Sequence, residues 1–155
     1  MAEHAAPRDP RLRVIAIAAV IHRDHVLLAE GFDSVKQQTF YRALGGEVEF
    51  GETAEAAAVR ELIEETGRRI EVIERLGVIE NLFTLEGQPG HEVVFEFIAR
   101  FAPGEEPDDL STIEADEGGA KFLVRWLPLA EVLAGTHRVY PDGIAERLAE
   151  WVNRL

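Results

Sequence analysis

The stretch from Gly46 to Gly67, GEVEFGETAEAAAVRELIEETG, restricts the fold more than any other part of the chain. From Thr53 to Thr66 alanine, leucine and glutamate dominate, and neither Gly nor Pro interrupts them, so the stretch predicts a helix. Thr53 is suited to cap its start and Gly67 to end it. Residues three and four apart share a helix face, which puts Glu61, Glu64 and Glu65 together. Their mutual repulsion weakens the helix unless a cation compensates. Oxygen donors of this kind suit a hard ion such as Mg²⁺ or Mn²⁺, and the chain has no Cys to argue for a softer one. Arg60 adds a forked cation that can hold a carboxylate in one orientation. Gly45 and Gly46 let the backbone approach closely, which makes the Gly46 carbonyl a further candidate ligand. The competing reading of such a run is a solvated acidic helix face.

Spacing favours the metal. Gly46, five residues, Glu52, seven residues, then Arg60-Glu61-Leu62-x-Glu64-Glu65-x-Gly67 resembles the Nudix hydrolase signature, G-x5-E-x7-R-E-U-x-E-E-x-G-U, where U is a bulky apolar residue. A chance match to its fixed positions is on the order of one in a million per window. Arg68 departs from the pattern at the last apolar position, which bears on packing at the helix-to-strand corner and leaves the carboxylates untouched.

The remaining sequence sets bounds. A chain of 155 residues is long enough for one domain with a real core, expected over 11–155 behind a loose tail at 1–10. No apolar run reaches the ~20 residues that span a bilayer, and no secretory signal is visible, so a membrane partner is not expected. The absence of Cys excludes disulfides and is compatible with a cytoplasmic location. A formal net charge of -13 disfavours duplex nucleic acid as a partner. It does not disfavour a phosphate substrate, because a bound divalent ion can reverse the local field.

Arg13 to Ile21 is a continuous Val- and Ile-rich run, read as a strand buried on both faces, and Val26 to Ala29 pairs with it as a hairpin. Residues 31–38 read as a loop, and Thr39 to Leu44 as a strand leading to the glycine pair. Arg42 is a candidate to clamp a phosphate, with a surface salt bridge to one of the many acids as the competing reading. Phe40 and Tyr41 point to opposite faces, one to the core and the other, Tyr41 among the candidates, to a substrate base. Ile70 to Phe83 is extended but broken at Gly77, and a turn follows at 86–90. His91 to Phe101 alternates, with Val93, Phe95, Phe97, Ala99 and Phe101 on a core face. Glu92 and Glu96 fall on the other face, where solvent is the default and Glu96 is a candidate for substrate binding. Residues 102–119 read as a long acidic loop, 120–127 as a last strand, 128–134 as a short helix, and 143–155 as an amphipathic helix.

This order of elements is α+β, or mixed α/β. The Nudix resemblance, carried by residues 46–68, implies an α/β/α sandwich with a mixed sheet and a catalytic floor made by the motif. It implies hydrolysis of a pyrophosphate bond in a nucleoside diphosphate linked to another moiety, whether ADP-ribose, a nucleoside triphosphate, a dinucleoside polyphosphate or a nucleotide sugar. It places Gly46, Glu61, Glu64 and Glu65 on Mg²⁺ or Mn²⁺, Arg60 as their orienting cation, and Glu52 at the turn. An acid before the last strand is a further implication, from Glu114, Asp116 or Glu117, with Glu117 taken as the candidate. The general base is open among Glu64, Glu65 and Glu117. A nucleotide-binding module without catalysis is the alternative, but such a chain is expected to lose motif carboxylates. A homodimer is left open by the apolar first strand and the long extended segment.

Overall fold

The computed structural model describes residues 10–117 and 120–155, and the side chains of these apart from 116, 117 and 120. The candidate tail therefore lies almost wholly outside the described residues. Strand β1 spans Leu12–His22 and turns at Arg23 and Asp24, both of positive φ, into β2, His25–Asp33. Strand β3 is Gln38–Glu47 and carries Gly45 and Gly46 inside it. Helix α1 is Ala54–Thr66; Thr53 accepts the Ala56 N–H at its start, and Gly67 ends it in the left-handed conformation. Then come β4, Ile70–Leu85, β5, Gln88–Phe101, β6, Ile113–Glu117, and β7, Ala120–Pro128. The short α2, Leu129–Leu133, the two-residue β8, Val139–Tyr140, and α3, Ile144–Asn153, complete the order.

The strands form one mixed sheet in the order β4-β5-β1-β3-β2-β7-β6, with β8 beside β3. Its faces divide the core. Ala16, Ala18 and Val20 of β1, with Phe97, Ala99 and Phe101 of β5, pack toward Ala57, Ala58 and Leu62 of α1. Ile15, Ile17 and Ala19, with Val94 and Ile98, pack toward Val132 of α2 and Ile144 and Leu148 of α3. The first strand is thus buried on both faces, and helices cover the sheet from both sides. Among the described residues no helix is long and apolar enough to cross a membrane.

Four expectations are corrected. The second face of β5 is not solvated, because α3 covers it and leaves Val94, Glu96 and Ile98 buried. The acidic stretch 102–119 is not all loop: Ile113–Glu117 forms β6, whose Ala115 is buried and which pairs antiparallel with β7. The loop 31–38 shrinks to residues 34–37, since β2 runs on to Asp33 opposite Gln38. Gly77 does not end β4. It sits instead at one of two register shifts that bend β4 against β5.

One feature of register shapes the cavity. The β2–β3 ribbon meets β1 at its open end, through β2 at Val20–His22 and through β3 at Ile15–Ala18, antiparallel in both places. Since β2 and β3 are themselves antiparallel, the ribbon has to bend, and beyond those contacts it stands away from β1 toward its turn at residues 34–37.

Candidate functional site

Under the bent ribbon lies a cavity of about 440 Å³. Its walls come from β1, β2, β3, the end of β4, β5, Phe122 of β7, and Tyr140 of β8 with the two residues after it. Arg13, Lys36 and Arg42 line it together with the acids Glu30, Asp33, Glu92 and Asp142, and Phe40 and Tyr140 bring rings whose centroids are 5.4 Å apart. At the opposite end from α1, Asp33 closes the cavity. It is 2% exposed and accepts the N–H groups of Val35 and Lys36 on one oxygen and that of Glu86 on the other. These bonds tie the β2–β3 turn to the tip of the β4–β5 hairpin, and with burial working against them they hold the Asp33 carboxyl below its ordinary value.

Gly45 and Gly46 form the wall that the cavity shares with α1. A Cβ on Gly46 would stand 2.5 Å from Glu61 Oε1 and 2.7 Å from Oε2, so the Glu61 carboxylate rests directly on the Gly46 backbone. Arg60 organises the remaining acids. Its Nε donates to Glu52 Oε2 at 3.1 Å and its Nη2 to Glu52 Oε1 at 2.6 Å, a forked pair. Nη2 also reaches the Glu47 carbonyl at 3.0 Å, and Nη1 reaches Glu61 Oε1 at 3.0 Å and Glu64 at 3.4 Å. Glu52 in turn accepts the Glu49 N–H at 2.9 Å, which fixes the loop between the glycines and the helix. The hydrogen bonds from Arg60 hold the Glu52 carboxyl low, and those carboxylates raise the Arg60 guanidinium above its already high value.

The three helix carboxylates differ in environment. Glu65 is buried, the Glu61 side chain is 13% exposed, and that of Glu64 is 57% exposed. Among the described residues no three His, Asp or Glu side chains converge as a ready metal cage; Glu52, Glu61 and Glu64 instead each contact the Arg60 guanidinium. The donor set nonetheless fits a hard divalent ion: every donor is an oxygen, and Glu61 and Glu65 share one face of α1 beside the Gly46 backbone. Glu64, the most exposed, has room to turn toward an ion.

Other candidates fall elsewhere. Arg42 lines the cavity. Tyr41 does not: its ring lies edge-on to His137 at 5.5 Å and its hydroxyl donates to Glu30 at 3.2 Å, whereas Phe40 takes the cavity side. The period of two separated these rings, but which face held the cavity depended on the ribbon's bend. Glu96 is corrected as well. It is fully buried under α3, and both carboxylate oxygens go to Arg147. Glu117 ends β6, but its side chain lies outside the described residues. Sequence reasoning passed over Arg13, Asp33 and Tyr140. Asp33 carries a local signal, an Asp whose side chain caps the N–H groups two and three residues on. Tyr140 carries none, since only the β3–β8 pairing brings it there.

The NUDIX domain model matches residues 12–148. A Mycobacterium tuberculosis (strain CDC 1551 / Oshkosh) protein that bears the mutator name MutT4 is 38% identical over 111 residues, 71% of this chain and 40% of that protein. The NAD-capped RNA hydrolase NudC of Edwardsiella ictaluri is 34% identical over 113 residues, 69% of this chain and 39% of that protein. The chain thus spans about two fifths of the length of these curated relatives. In fold, a NUDIX hydrolase from Nitrosomonas europaea superposes with a TM-score of 0.65 over 92% of this chain and 90% of its own, at 18% identity. With the family match running from the first strand into the last helix, and so through the glycine pair, the carboxylate helix and the cavity walls, the chain belongs to the NUDIX domain family.

Proposed function

We propose that the protein is a metal-dependent pyrophosphohydrolase acting on a nucleoside diphosphate linked to another group. The observation that carries this reading is the position of Gly46, which touches the Glu61 carboxylate and also lines the cavity. A diphosphate at that wall has the carboxylate helix on one side and space for a nucleoside on the other. Arg13, Arg42 and Lys36 are the groups of the lining that can contact a phosphate, and since Glu30, Asp33, Glu92 and Asp142 line it too, a divalent ion is needed to offset the charge of the substrate. Phe40 and Tyr140 offer apolar surface to a base or sugar.

Glu61, Glu64, Glu65 and the Gly46 carbonyl are the residues that would hold Mg²⁺ or Mn²⁺. Bound there, such an ion neutralises charge on the pyrophosphate and polarises phosphorus. Arg60 keeps Glu61 and Glu64 oriented through its anchor on Glu52, and Glu52 pins the loop that follows Gly46. A carboxylate among Glu64, Glu65 and Glu117 takes the proton from the attacking water. Arg42 contacts phosphate from the cavity side. The relative named NAD-capped RNA hydrolase is, by its name, a hydrolase of a nucleotide-capped chain, which supports this reaction class. Residues 11–155 act as one domain in this reading, and the lack of Cys accords with work in the cytoplasm.

The test is mononucleotide or phosphate release from ADP-ribose, nucleoside triphosphates, dinucleoside polyphosphates and nucleotide sugars, each with Mg²⁺, Mn²⁺ or EDTA. Cleavage of at least one compound, abolished by EDTA, is expected. Glu64→Gln and Glu65→Gln are expected to lower turnover at least about a hundredfold without unfolding the chain. Full activity in both variants contradicts the assignment.

A further inference from the structure

The Tyr140, Pro141 and Asp142 wall of the cavity is made by the end of β8 and the short link from it to α3, and a charged pair outside the reaction holds it from behind. Glu96 on β5 is 0% exposed. Arg147 on α3 donates from Nε to Glu96 Oε1 and from Nη2 to Glu96 Oε2 at 2.9 Å. The same Nη2 donates to the Asp142 carbonyl at 3.1 Å. Gly143 makes room for this arginine: a Cβ there would collide with the guanidinium, whereas one on Gly77 would meet Arg147 Cδ in ordinary contact at 3.5 Å.

Burial raises the Glu96 carboxyl and Arg147 works against that rise, so the pair sits in a costly place. Apolar residues of similar volume commonly replace buried ion pairs with no loss of stability, so stability alone does not explain a glutamate and an arginine here. An apolar couple fills the same space but cannot reach out of the core and hold the Asp142 carbonyl.

We propose that Glu96 and Arg147 are positioning residues: together they fix the Tyr140–Asp142 wall, and through it the fit of the nucleoside portion of the substrate. The inference rests on reading the cavity as the substrate site. When the pair is broken, the link between β8 and α3 loses its anchor and the Tyr140 ring is freed from its place against Phe40. Substrate then has to order the wall on binding. Affinity falls, whereas the carboxylates on α1, across the sheet, keep their geometry.

The experiment compares the full chain with Glu96→Gln, Arg147→Lys and the double variant Glu96→Leu/Arg147→Met. Backbone amide exchange is measured over residues 139–147 and over α1, and kcat and KM are measured with the compound that the wild type cleaves. Glu96→Gln and the double variant are expected to exchange about tenfold faster over 140–144 with α1 unchanged. KM is expected to rise roughly fivefold to tenfold, as one or two side chains need ordering, with kcat within about twofold. Arg147→Lys falls between these and the wild type. The double variant melts close to the wild type yet keeps the raised KM. Unchanged exchange over 140–144 in Glu96→Gln, or a wild-type KM in the double variant, overturns the proposal. A wild type that cleaves nothing refutes the hydrolase reading by itself, and the exchange comparison then decides the role of the pair alone.

Discussion

Gly45→Ala and Gly46→Ala add the same methyl group one residue apart and should fail in different ways. At Gly46, which is not among the residues of positive φ, the new Cβ would stand 2.5 Å from Glu61 Oε1, where ordinary contact begins at 3.4 Å. What it meets is the end of a side chain, so the strain is relieved when the Glu61 carboxylate retreats. The retreat is about 0.9 Å, and misplacement of a reacting group by about that much costs roughly a hundredfold in turnover. The fold has little to lose, and the melting temperature should stay within about 3 °C. At Gly45 the Cβ would run into the Ala16 carbonyl oxygen and stand 2.7 Å from Ile17 Cα. Both belong to the backbone of β1 in the sheet centre, which cannot give way. Overpacking there costs about 1–3 kcal/mol, or roughly 3–10 °C in melting temperature. The assay is a thermal melt of each variant, paired with kcat on the cleaved compound. A Gly46→Ala variant with wild-type melting and kcat within about threefold of wild type refutes the reasoning, because Glu61 would then have moved without consequence.

Arg60→Lys keeps a charge but cannot hold Glu52 at two points while also reaching the Glu47 carbonyl and Glu61; kcat should fall about tenfold to a hundredfold in steady-state assays. Thr53→Ala removes the acceptor for the Ala56 N–H and should cost about 1 kcal/mol in denaturant melts, with kcat per folded molecule unchanged. Glu52 titrates lower in the folded chain than in the unfolded one, so on acidification the unfolded chain takes up the proton first. Its contribution to stability is therefore present above the ordinary glutamate range and is lost as pH falls through the folded value. The stability gap between wild type and Glu52→Gln should be open at neutral pH and close in acid, and a gap that widens in acid would contradict the sign.

What the sequence revealed was mostly local. Helix α1 was legible from its cap, its stop and its uninterrupted helix formers, and β1 from an apolar run that leaves both faces covered. The face of β5 carrying Phe97, Ala99 and Phe101 was legible from its period of two. The opposite face was misread because α3, distant in sequence, covers it and supplies Arg147 to Glu96. Strand β6 hid in an acidic stretch because its pairing with β7 outweighs the poor strand propensity of Glu114 and Asp116. The cavity was legible only in part. Arg42 could be named from its nearness to the glycines, but Arg13, Asp33 and Tyr140 reach the site through the bent ribbon, the β4–β5 tip and the β8 pairing. Those contacts depend on register between distant segments, which composition and periodicity do not encode.

Binding of a divalent ion to the face of α1 beside Gly46 can be measured apart from turnover. Mn²⁺ is titrated into the wild type, Glu61→Gln and Glu65→Gln, free ion is followed by its paramagnetic resonance signal, and a melt of each sample checks folding. Saturable binding by the wild type and at least about tenfold weaker binding by each folded variant are expected. Folded variants that bind Mn²⁺ as tightly as the wild type would contradict binding at that face.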